Sequence, residues 1–225
     1  MATKVRRAPV PPPKQRRPKA FSVGLLVTFL VTGLAGAGIG YLATAPGATE
    51  NAIAELRAAD AKRDQEQIVE LTTQAKATVT ELEQVLTGLA AAVPVEQGVA
   101  PQPADPAVVK GWQEVLRASV DKHAESVSGM TATNVARGGF RSAVNTLAIA
   151  IDTYAASQAL PEDARRPVLD LVARQRTAAV MMWSVAATQL DQLNVDAGRG
   201  HQHAYLSSSP GDGAMTADEV PEGTE

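Results

Sequence analysis

The sequence predicts an all-α protein. A single N-terminal transmembrane helix leads into a long stalk helix, then an extracytoplasmic antiparallel bundle of three to four helices, with disordered termini. Three observations predict this. Residues 21–44 carry no charged side chain. Aromatic residues make up only 4% of the chain while alanine is abundant, which favours helix. Beyond residue 67, apolar side chains recur at spacings of three and four.

The uncharged segment, FSVGLLVTFLVTGLAGAGIGYLAT, has 24 residues. As a helix it would rise about 36 Å at ~1.5 Å per residue. A hydrocarbon core of ~30 Å is therefore spanned with some tilt. Tyr41 lies near the outer end, where an amphipathic ring suits the interface, and Pro46 and Gly47 stop the helix just beyond. A cleaved signal peptide is the competing reading, with Ala35-Gly36-Ala37 as a small-x-small cleavage site. The apolar run continues past Leu34, which favours a retained anchor. Within it, Thr32, Gly36, Gly40 and Thr44 recur every four residues and form a candidate helix-packing face.

Charge sets the sides. Residues 1–20 hold seven Lys and Arg and no acid, so they carry +7; with a net charge of −3, the chain after Thr44 carries −10. Basic residues beside a span favour the cytoplasmic side. The N-terminus is expected in the cytoplasm, and residues 45–225 outside the cell membrane. The arm RRAPVPPPKQRRPK is proline-rich, extended and without a core, and its charges lie where anionic head groups would be. Membrane lipid is thus an expected partner. Nucleic acid is not, because the exported part is acidic and the arm has no interleaved aromatics. The absence of cysteine excludes disulfides, thiolate metal sites and cysteine nucleophiles.

Residues 45–67 read as a solvated stalk helix capped by Thr49, because extending the register of Ile53 and Leu56 brings Asp60, Arg63 and Gln67 into the seam. A bundle domain is expected over residues 68–197. Its first helix presents Ile68, Leu71, Ala75, Thr78, Leu82, Val85 and Leu89, with Thr72, Val79 and Leu86 widening the stripe. VPVEQGVAPQPADP ends it, and Asp105-Pro106 starts the next, which runs to about Val127 with Val108, Val109, Trp112, Val115, Leu116, Val120 and His123 on one face. Residues 128–139 read as a loop. A third helix is expected from Phe140 to Ala159, with Phe140, Val144, Leu147, Ile151 and Tyr154 inward. A fourth starts between Glu162 and Pro167 and runs to about Val195. Its expected inner face is Val168, Leu171, Val172, Gln175, Ala179, Met182, Val185, Ala186, Gln189 and Leu193. Residues 198–225 read as an acidic disordered tail.

No phosphate-binding loop or nucleophile elbow occurs, so no catalytic residue and no cofactor site is assigned. His201 and His203 are the candidate metal ligands, with Asp191 or Asp196 as a nearby carboxylate. A closed site wants a fourth ligand and none is evident, so the expected state is a polar loop without metal. Trp112, Tyr154 and Trp183 are candidates to line a pocket between helices. The expected function is a membrane-anchored extracytoplasmic helical scaffold or interaction module of the cell envelope, not an enzyme. Its partner would be another envelope protein, and homo-oligomerisation is left open. An anchored sensor or small-ligand-binding bundle is the alternative, and a metal-dependent enzyme the least supported reading.

The anchor is open to a direct check. The full chain is expected to remain in the membrane pellet after washes in high salt and in alkali. A mature chain beginning near Gly38 would identify residues 21–34 as a signal peptide instead.

Overall fold

A computed structural model of the chain describes residues 47–96, 98–125, 127 and 129–206. Regular structure among the described residues is entirely helical: α1 (Ala48–Ala92), α2 (Pro106–Ala124), α3 (Thr131–Ser157) and α4 (Glu162–Asp196). The chain divides into two units at Leu56 and Arg57. The described part of the first, residues 47–56, forms the opening turns of α1, and its start at Ala48 places Thr49 inside the helix rather than at its cap.

Each neighbouring pair of helices is antiparallel. Gln74 of α1 meets the Lys122 carbonyl near the end of α2, while Gly88 meets the Trp112 ring near its start. Gln113 of α2 bonds Asp152 of α3, and His123 packs on Phe140. Gly139 of α3 lies against Ala186 of α4, and Thr146 against Met182. Arg176 of α4 reaches Leu89 of α1, and Asn194 reaches Thr72. The result is an up-down-up-down bundle closed between α4 and α1. Its core includes Leu71, Leu82, Leu89, Leu116, Phe140, Leu147, Ile151, Trp183 and Leu190, each at most 2% exposed.

Local sequence explains most of the boundaries. Asp105 Oδ1 accepts from Ala107 N at 2.7 Å, and Pro106 occupies the first helical position, where its missing N–H costs nothing. The heptad of α1 is buried as its spacing requires, from Ile68 through Leu89. The packed part begins earlier than expected, at Asp64 and Gln67, which are 7% and 5% exposed. Asp64 Oδ1 accepts from the backbone N–H of Met130, where a carboxylate favours the start of α3.

That contact also accounts for a longer α3. The stretch Thr131–Gly139, rich in weak helix formers, is helical rather than a loop. Tertiary partners override the propensity: Thr133 and Ala136 are fully buried, and Arg137 ties Asn134 and Gln67 to the helix start. Gly139 has a packing role there. A Cβ at this position would stand 2.7 Å from Ala186 Cβ, so glycine permits the close approach of α3 and α4.

The largest difference from expectation is the rotation of α4. Its buried residues are Val172, Arg176, Ala179, Val180, Trp183, Ser184, Ala186, Ala187, Leu190 and Asn194. The stripe is displaced by one residue, about 100° around the helix, from the one read in the sequence. Met182, expected in the core, is 42% exposed, while Trp183 is fully buried; Leu171 and Val185 also face outward. Arg176 and Asn194, two polar residues absent from the expected face, lie on the buried one. Both are buried because they have partners: Arg176 Nη1 donates to Leu89 O and Val93 O, and Asn194 Nδ2 to Thr72 Oγ1 and Leu190 O. Pro167 sits inside α4, beyond its first turn, and withholds one ladder hydrogen bond there.

These placements give an ordered set of costs. Leu82→Ala is expected to destabilise the bundle by roughly 2–5 kcal/mol and Trp183→Ala by roughly 3–5. Met182→Ala is expected to stay within about 0.5 kcal/mol of the parent, as an exposed side chain should. Equilibrium urea unfolding followed by far-ultraviolet circular dichroism measures all three.

Candidate functional site

The chain reverses after α4. Gly198 and Gly200 have φ of 71° and 67°, the left-handed region open to glycine, and they turn residues 201–206 back along the helix they have just left. Alternate residues of an extended segment face opposite ways. Ala204 and Leu206 point inward and are 2% and 3% exposed, whereas His201, His203 and Tyr205 line the other side. Their rings follow one another edge to face, with centroids 5.8 and 6.0 Å apart.

The segment is pinned along its length. Trp183 Nε1 donates to Ala204 O at 2.6 Å, Tyr205 Oη and Thr188 Oγ1 lie 3.2 Å apart, and Lys76 Nζ donates to Gln202 Oε1 at 2.7 Å. Residues 198–206 are thus part of the packed unit, although the sequence reading assigned them to the tail. A pattern of two inward and three outward residues is too short to stand out from a polar stretch.

Docking of this segment brings both candidate histidines onto Asp191. His201 Nδ1 lies 2.8 Å from Asp191 Oδ2, and Asp191 Oδ1 accepts from the backbone N–H of Gln202. One ligand atom from each of Asp191, His201 and His203 lies within 4.8 Å of the other two. The other named carboxylate, Asp196, accepts from Gln192 Nε2 at 2.8 Å and is not in this group. Asp191 occupies α4 one turn past Ala187, and its side chain is 14% exposed. The constellation can hold a proton between imidazole and carboxylate, or a cation among three donors.

The proposed pocket aromatics are packed against other side chains. Trp112 packs on Tyr154 with centroids 6.2 Å apart, and Tyr154 Oη accepts from Ala104 N. Trp183 packs on Phe140 at 4.5 Å and on His123 at 5.9 Å. All three fill the interior of the bundle.

Folding changes the ionisation of His123. It is 2% exposed between the Phe140 and Trp183 rings. Thr78 Oγ1 lies 2.9 Å from Gln74 O and 3.0 Å from His123 Nε2, so its hydroxyl bridges the two. His123 Nδ1 is without a partner among the described residues. Burial, with the neighbouring Lys122 charge, lowers the His123 pKa from 6.5 to about 4, against a smaller opposing effect from Glu81.

The candidate membrane face Thr32, Gly36, Gly40 and Thr44, and the whole expected span at residues 21–44, lie outside the described residues. Among the described residues no helix is long and apolar enough to cross a membrane.

Acid sensitivity follows from His123. The unfolded chain takes up its proton below about pH 6.5, while the folded chain does so only below about 4. In that window the unfolded state holds more protons, so stability falls as pH falls, by up to ~1.4 kcal/mol per pH unit. Urea midpoints measured between about pH 7 and pH 4 are expected to decline along this course. The slope should flatten in His123→Leu, whatever that variant does to stability at neutral pH.

No family model, no curated protein and no solved structure matches this chain.

Proposed function

We propose that the chain is a single-pass, membrane-anchored module that holds a rigid helical bundle outside the cytoplasm and engages a protein partner of the cell envelope. The anchor rests on the uncharged run at residues 21–44 and the +7 arm before it. The observation that carries the interaction reading is the outer face of α4. Met181, Met182 and Val185 are 50%, 42% and 63% exposed while the interior beside them is filled by Trp183. Val185 lies four residues past Met181 and three past Met182, so it adjoins both on the helix surface, and the Thr146 hydroxyl of α3 touches Met182 Sδ at 3.6 Å, so the patch extends onto α3 toward the exposed Ile149. Exposed methionines suit a surface that adapts to another protein. The ligand-binding alternative loses support, because the aromatic side chains that would line its pocket are used in packing. No catalytic step is part of this reading.

The test is co-purification from gently solubilised membranes. The intact chain is expected to bring down a defined partner, and Met182→Glu with Val185→Glu to lose it while keeping the parent circular dichroism. Retention of the same partner by the double variant would remove this face from the interaction. Recovery of further copies of the chain alone would make the partner a second copy.

A further inference from the structure

We propose that Asp191, His201 and His203 form a binding site for a borderline divalent transition metal of the Zn2+ class, with three protein ligands and a coordination position left open. Two imidazoles and a carboxylate suit Zn2+, Cu2+ or Ni2+, and the cysteine-free chain offers no thiolate to draw softer ions. Three ligands with one open position is also an arrangement zinc adopts outside its closed structural sites.

His201 Nδ1 and Asp191 Oδ2 are 2.8 Å apart, close to the roughly 2.9–3.3 Å between two ligands of one cation at bonds of about 2.0–2.1 Å. A cation between them would take the place of the proton they share. His203 approaches from the same side because it is two residues along an extended segment, and its donor atom is already within 4.8 Å. Its side chain is exposed, so a modest rotation closes the remaining gap.

The support is built independently of any metal. Asp191 is on a bundle helix, with Oδ1 engaged by the Gln202 N–H, which turns Oδ2 toward His201. The backbone carrying the histidines is held by the Trp183–Ala204 hydrogen bond and by burial of Ala204 and Leu206. The nearby ammonium of Lys76 is bonded to the Gln202 side chain, on the opposite face of the extended segment from the imidazoles. Such preorganisation lets a site bind without first ordering its ligands.

The experiment is isothermal titration of the intact, tag-free chain in mild detergent with ZnCl2, with MgCl2 as the hard-cation control. One saturable Zn2+ site per chain is expected, with no heat from Mg2+. His203→Ala and Asp191→Asn are each expected to weaken binding at least tenfold, and His123→Gln, which removes a buried histidine outside the cluster, to leave it unchanged. Trp183 fluorescence should match the parent in His203→Ala, which separates a lost ligand from an undocked segment. Co2+ in place of Zn2+ should give d–d absorption bands in the parent and not in His203→Ala. Absence of a saturable site overturns the proposal, as does undiminished binding in both His203→Ala and Asp191→Asn.

Discussion

A buried guanidinium holds this bundle in register. Arg176 is 1% exposed, and a charge at that depth is tolerated only where hydrogen bonds replace its hydration. The partners are the Leu89 and Val93 carbonyls, at 3.1 and 2.9 Å, where α1 ends. Carbonyls in the last turn of a helix carry its negative dipole end, and most lack an intrahelical donor, so a cation is favoured there. Leu89 O also receives the Val93 N–H, which leaves Val93 O the more dependent on Arg176. Once Arg176 points inward, the rest of α4 has no rotational choice: Val172, Ala179, Val180, Trp183 and Leu190 follow it in, and Met182 and Val185 face out.

The same rotation organises the features that bear on function. It puts the Trp183 indole where its N–H reaches Ala204 O, which docks the segment after Gly198. That docking gathers His201 and His203 around Asp191. It also leaves Met181, Met182 and Val185 as an exposed face. The candidate cation site and the candidate partner surface are thus two consequences of one helix setting. At the other end of the bundle Asp64 performs a related task, joining α1 to the start of α3 through a single backbone N–H.

Much of the fold was legible in the sequence. Helical class, the heptad of α1 through Leu89, the Asp105-Pro106 start and the inner face of α3 all follow from local periodicity and capping chemistry. What was not legible depends on contacts between distant residues. Arg176 and Asn194 look like surface residues until their partners on α1 are known, and they lie at the centre of the face that is buried. Thr131–Gly139 looks like a loop until Asp64 and Gln67 supply its support. The histidines were visible as candidates, and Asp191 as one of two nearby carboxylates. Only the reversal at Gly198 and Gly200 selects Asp191 over Asp196, since that turn brings His201 within hydrogen-bonding distance of it.

The setting of α4 is therefore the point on which the fold and both functional proposals turn, and it can be measured residue by residue. Hydroxyl-radical footprinting of the purified chain, read by mass spectrometry, reports the solvent access of adjacent side chains on one helix. Burial of Trp183 and exposure of its two neighbours predict fast oxidation of Met181 and Met182 and strong protection of Trp183 until the chain unfolds. Rapid modification of Trp183 with protection of Met182 in the folded chain would contradict the inward setting of Arg176, and with it the arrangement of everything built on that helix.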